Sequence, residues 1–144
     1  MSIDESLARV LARWRAQGAV LLPARDAADV QRSFGRLGLS ATEDVVRMFA
    51  LFGGLDEMDD DCWEFWSLEK LVERNLEHPR PGVLFGDYLI DCTFLLLRPL
   101  DASTSDVWLD GFDPESPKPV APSLDAFFRS YLADPDFVFG APRR

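Results

Sequence analysis

Apolar positions follow two different periods along this chain. Up to about residue 53 they recur every three or four residues, as on one face of a helix; beyond residue 61 they fall into runs that suit strands. Ser2-Ile-Asp-Glu5 has the pattern of a capping box, the Ser2 hydroxyl and Glu5 carboxylate satisfying free amides of a first turn. Leu7, Val10, Leu11 and Trp14 follow at helical spacing, and Gly18 supplies the stop. A short extended piece, Val20-Leu-Leu-Pro23, leads to a second helix. Asp26 is its expected N-cap, Val30, Phe34 and Leu37 its apolar face, and Gly38 its end. Ser40-Ala-Thr-Glu43 reads as another capping box, opening a third helix with Val45, Val46, Phe49 and Phe52 inward. Gly53-Gly54 is expected to end it, because glycine takes up left-handed dihedrals without strain.

After that point the period shortens. Cys62 to Trp66 reads as an aromatic strand, and Ser67 as the cap of a helix with Leu68, Leu71, Val72 and Leu76 inward. His78-Pro-Arg-Pro-Gly82 is a rigid connector that no helix continues through. Val83–Phe85 and Tyr88–Arg98 read as strands joined at Gly86-Asp87, the second apolar enough to be central. Asp101–Ser105 predicts a turn and Val107–Leu109 the returning strand of a hairpin. Pro114, Pro117, Pro119 and Pro122 predict a surface loop, and Ser123 caps a last helix carrying Leu124, Phe127, Phe128 and Tyr131. Helices first, then a mainly antiparallel sheet, then a closing helix predict an α+β fold, one domain over residues 1–144.

Composition narrows the function classes. The apolar fraction of 47% is too high for a disordered chain. The opening Met-Ser-Ile-Asp-Glu lacks the features of a signal peptide, and no apolar run is long enough for a bilayer, so a cytoplasmic protein is expected. Cys62 and Cys92, with no C-x-x-C spacing, read as buried free thiols. The net charge of −10 is unevenly placed. Residues 1–53 balance at +1, residues 54–91 at −8 and residues 92–144 at −3. A negative middle third repels phosphate backbones, which argues against nucleic acid and favours a basic protein partner; solubility alone explains it as simply.

Candidate chemistry is sparse. His78, the only histidine, stands in a connector with no nucleophile nearby in sequence, and no phosphate-binding glycine loop occurs. Neither a cofactor nor a metal is expected. Asp56-Glu57-Met58-Asp59-Asp60-Asp61 is the densest acidic run; it lacks the central glycine and terminal glutamate of a calcium loop. It reads equally as a solvated loop or as one side of a charge-complementary interface. Trp63 and Trp66 point to opposite faces of an extended strand. Trp66 is the structural one, and Trp63 is either the exposed anchor of an interface or a second core aromatic. Asp87 joins the contact candidates, although turn and strand-end roles explain Asp87 and Asp91 as well. Asn75, near a helix end, is expected to cap or bond the backbone.

Taken in order, these segments resemble the SUKH superfamily, over about residues 30–132. The resemblance rests on Val30–Gly38 followed by Ser40–Gly54 with its Gly53-Gly54 pair, and on Trp66-Ser67-Leu68 through Asn75. Phe85-Gly86-Asp87 with Asp91, and Ser123–Leu132, complete it. The chain has Leu39-Ser40 and Phe52 where the family usually has Leu-Pro and Asn. The resemblance implies a small non-enzymatic binding domain of a kind common among bacterial immunity proteins and found in fungal cell-wall regulators. It would bind and neutralise a cognate toxin, often a nuclease, whose basic face the acidic middle third complements. An intracellular scaffold on the same fold, and a carboxylate-based metal-dependent hydrolase, are the alternatives. Oligomeric state is not legible in the sequence.

Overall fold

A computed structural model of the chain describes residues 2–111 and 116–140. Helix α1 (Ile3–Ala16) begins where the Ser2 hydroxyl accepts the Glu5 amide, and it buries Leu7, Val10, Leu11 and Trp14. Asp26 caps α2 (Ala27–Arg36) in the same way, accepting from the Asp29 amide at 2.8 Å. The third helix, α3 (Glu43–Leu51), departs from expectation at its start, because Thr42 rather than Ser40 is its N-cap and makes no side-chain cap bond. The first amides of α3 are instead met from outside, Glu43 donating to the Ala102 carbonyl and Asp44 to that of Ser103. The predicted 101–105 turn thus serves as the cap.

The glycine pair has a different cause from the expected one. The chain is already extended at Phe52, and Gly53 is not left-handed. A Cβ at Gly53 would lie 2.0 Å from the Pro23 carbonyl oxygen, and one at Gly54 2.7 Å from the Trp66 backbone. Gly54 also has φ +115°. Two chain segments pass here too closely for any side chain.

Five strands form an antiparallel sheet in chain order: β1 (Trp63–Phe65), β2 (Val83–Tyr88), β3 (Thr93–Pro99), β4 (Ser105–Asp110) and β5 (Lys118–Ala121). The nearly continuous apolar run is the central strand β3, as expected. Phe85-Gly86-Asp87 is not the turn; it lies within β2, where Gly86 faces both Phe65 and Leu95 and a Cβ would meet the Glu64 carbonyl at 2.8 Å. The reversal comes later, between Tyr88 and Thr93. The proline stretch, expected as a loop, supplies the edge strand β5; Pro119 is tolerated there because an edge has no outer ladder to complete. Pro114 lies outside the described residues.

Helix α4 (Leu68–Glu77), capped by Ser67, stands beside β2 beyond the end of the short β1. There Asn75 replaces a missing strand. Its Nδ2 donates to the Leu84 carbonyl at 2.9 Å and its Oδ1 accepts the Leu84 amide at 2.9 Å. Position 75 rather than 76 therefore faces the sheet, and Leu76, expected inward, is exposed. Ser123 caps α5 (Leu124–Ala133), and a 3₁₀ turn follows at Phe137–Phe139. Helices α1, α3 and α5 contribute with the inner sheet face to one core, where Trp14, Phe65, Phe127, Phe128 and Tyr131 are in mutual ring contact around Phe65. This is the predicted α+β arrangement of leading helices, antiparallel sheet and closing helix. Among the described residues no helix is long and apolar enough to cross a membrane.

Candidate functional site

Among the described residues, three of the four non-glycine residues with positive φ are consecutive at the β2–β3 reversal. Leu89, Ile90 and Asp91 take φ values of 48°, 51° and 65°, one left-handed turn closed by the Cys92 amide on the Tyr88 carbonyl. Left-handed backbone costs about 1–2 kcal/mol per non-glycine residue, and a β-branched residue there is a true outlier. The cost does not secure burial, since Leu89 is 45% and Ile90 70% exposed. Buried Asp87 holds the turn from below, accepting the Trp66 indole at 2.8 Å and the Asp91 amide at 2.7 Å. Asp91 in turn pairs with Arg74 at 2.6 Å.

Carboxylates flank this tip. The Leu89 amide donates to the Cys62 carbonyl, which brings the acidic 60–61 step beside it. From the other side comes the segment after α5, anchored where the Trp63 indole donates to the Pro135 carbonyl at 2.9 Å. Trp63, Tyr88 and Phe139 stack between the two, with ring centroids 4.9–5.8 Å apart. Asp136 is exposed, yet partial desolvation first, then the charges of Asp134 and Asp61, push its carboxyl above the usual range. Burial first, then Asp136, the two cysteines and Asp61, push the Tyr88 phenol up as well. Asp134 is the C-cap of α5, whose last turn holds no basic residue. A helix C-terminus favours cations, so this acid is not placed for the helix.

The acidic run divides. Asp56, Glu57 and Asp60 are exposed and Asp61 is half-buried. Asp59, counted with them from sequence, belongs to the core at 6% exposure. Its carboxylate accepts four donors: the Trp14 indole at 2.9 Å, the Tyr131 hydroxyl, and the amides of Asp61 and Trp63 at 2.9 and 3.0 Å. Burial raises its carboxyl above the ordinary value, and those hydrogen bonds oppose the rise. Asp59 therefore acts as the peg of the loop, holding the 60–61 step in place.

Two further contact candidates are corrected by burial. Trp63 is 1% exposed and packs under the site, so it is the second core aromatic, although it and Trp66 do take opposite faces. Asp87 is 3% exposed and positions the tip. Gly53, Gly54, Trp66, Asn75, Phe85 and Gly86 are all buried, Phe85 and Gly86 inside a strand rather than at a turn. Cys62 and Cys92 are free thiols but not buried ones: Cys62 is half-buried with φ 72°, and Cys92 is exposed beside the tip. Sequence reasoning missed Leu89, Ile90, Asp134 and Asp136. One signal was available, the lone Asp91 interrupting an otherwise apolar run.

Among the described residues, no three His, Cys, Asp or Glu side chains gather as metal ligands. Compared with models of known protein families the chain matches none, and it matches no curated protein.

Proposed function

We propose that this chain is a non-enzymatic protein-binding domain of the SUKH kind, an immunity protein that neutralises a toxin domain with a basic surface. The observation that carries the reading is the β2–β3 tip. An exposed Leu89-Ile90 pair is held in costly left-handed backbone and flanked by Asp61 and Asp136, with Asp134 beside the latter. Strain retained without burial points to a use outside the fold. Apolar anchor and charged rim are the division of labour seen in protein interfaces. The rim speeds encounter with a basic partner, and the anchor slows its departure. The order of elements that carries the resemblance supports the same reading, with α2–α3, β1–α4, β2 and α5 standing at its four segments.

The test is a growth assay. The C-terminal domain of the secreted toxin expected from the neighbouring gene is expressed with and without this chain. Growth should be restored by the native chain. The double variant Asp61→Asn/Asp136→Asn should fold normally yet associate more slowly and with less salt dependence. A native locus without a toxin gene, or no restoration of growth, removes the immunity role.

A further inference from the structure

The outer face of the sheet carries a second, smaller aromatic cluster: Trp66, Leu84 and Leu96 buried, with Phe94 and Trp108 half-covered beside them. No helical residue belongs to it. Its cover consists of long cationic side chains laid over the rings. Arg74 lies 4.9 Å from the centre of Trp66 and Arg98 4.5 Å from that of Trp108. Such contacts screen an aromatic surface and are worth only about 0.5–1 kcal/mol each at exposed sites.

The charges on this face are matched except at one place. Lys70 pairs with Glu64 at 2.6 Å, Arg74 with Asp91 at 2.6 Å, and Arg80 with Asp110. Arg98 and Asp106 stand directly opposite one another in the β3–β4 register and on the same face, yet no ion pair forms between them. Arg98 turns onto Trp108 instead. One oxygen of Asp106 and the indole nitrogen of Trp108 are both enclosed without a hydrogen-bond partner. An unmatched acid beside an unmatched base is a self-complementary pattern. A two-fold axis between two copies converts the idle pair of each into two intermolecular pairs.

We propose that the outer face of β3 and β4 is a self-association surface, on which a second copy of this chain docks across a two-fold axis with Arg98 of each copy against Asp106 of the other. The overall charge favours this face over others. At −10, two copies repel wherever their acidic middle thirds approach, and screening over about 8 Å at physiological salt removes only the distant part of that repulsion. On the outer sheet face the charges cancel locally. The three long strands, six or seven residues each and about 4.8 Å apart, make a face of roughly 300 Å² in plan, below the size of stable interfaces, so the dimer expected here is weak and transient.

Sedimentation velocity over a concentration series, at physiological salt, tests this on the full chain. The native protein should pass from monomer to dimer within hundreds of micromolar. Arg98→Glu and Asp106→Arg should each stay monomeric at the same concentrations, with unchanged circular dichroism. An equimolar mixture of the two variants should dimerise again, because every contact across the axis is then one acid against one base. A native chain that remains monomeric overturns the proposal, and so does a mixture that fails to associate. If either variant does not fold, indole proton resonances of the native chain decide. Dilution should shift Trp108 and leave the inner-face Trp14 and Trp63 in place; the reverse pattern puts any dimer elsewhere and overturns the proposal.

Discussion

The two faces of the sheet are closed by different means. On the inner face, three helices bring in whole side chains, and Phe65 alone is in ring contact with five others, from Trp14 to Tyr131. Helix backbone and apolar area exclude water there. On the outer face three residues are fully buried, and the lid is made of arginine and lysine stems held by ion pairs. The inner face lets the chain fold. The outer face is closed by side chains alone, and the tip beside the sheet keeps left-handed backbone and apolar side chains in solvent.

Deleting an aromatic ring on each side breaks or sustains this contrast. Phe65→Ala should cost about 3–5 kcal/mol, enough to unfold a marginal domain. Phe94→Ala, removing a half-covered ring on the other side, should cost only about 1–2 kcal/mol. Urea unfolding of both variants measures the pair. Equal losses would mean that the outer cluster is as strongly packed as the inner core.

A carboxylate inside the inner core is the next largest lever. Asp59→Asn should lose about 1–3 kcal/mol, because an amide presents a donor where four donors already converge. Its pH dependence has a definite sign. The folded-state carboxyl titrates above its ordinary value of about 3.9, so between those two points the folded chain holds more proton than the unfolded one. Stability at this group therefore falls as pH rises through that window, and the loss is complete above the raised value. Asp59→Asn should remove this contribution, which unfolding measured at a series of pH values will show. An unchanged slope would assign the pH response to other groups such as Asp136, which shifts in the same direction.

What sequence showed, and what it concealed, follows the same division. Periodicity located the five α-helices of the described residues and caps fixed the start of four, because Ser2, Asp26, Ser67 and Ser123 act within three residues of the amides they satisfy. Central β3 was legible from its apolar run. Gly86 misled for a physical reason: a glycine required by close approach of β1 looks, in sequence, like a glycine required by a turn. That error displaced the reversal by several residues and concealed the Leu89-Ile90 tip inside a predicted strand. Asp59 and Asp60 are adjacent and chemically identical in sequence. Only the arrival of Trp14 and Tyr131, 45 and 72 residues away, makes one a core group and leaves the other exposed. The rim's second half, Asp134 and Asp136, comes from the far end of the chain for the same reason.

On the outer face, Arg74→Ala tests whether the stacked lid stabilises more than it shields. It removes a ring contact to Trp66, another to Phe94 and an ion pair to Asp91. The expected loss is about 0.5–1 kcal/mol. Exposure of Trp66 should be the larger effect, read as faster quenching of tryptophan fluorescence by acrylamide. A loss as large as that of Phe65→Ala would make the arginine a core element and erase the contrast between the faces.

The smallest change in stability is expected at the tip, and its sign should be reversed. Ile90 holds φ 51° with most of its side chain in solvent. Glycine in its place relieves about 1–2 kcal/mol of left-handed strain and gives back about 0.5–1 kcal/mol through the greater freedom of the unfolded chain. Ile90→Gly should therefore raise stability by about 0–1.5 kcal/mol. Ile90→Asn should do at least as well, since asparagine tolerates the left-handed region while keeping the unfolded chain stiffer. Both variants remove the apolar anchor, so both should release a bound toxin domain faster while leaving the encounter rate to the acidic rim. A gain in folding stability coupled to a loss in residence time is the signature of strain kept for binding. If Ile90→Gly weakens the fold, the left-handed turn is held by its own packing, and the tip loses its claim as the contact site.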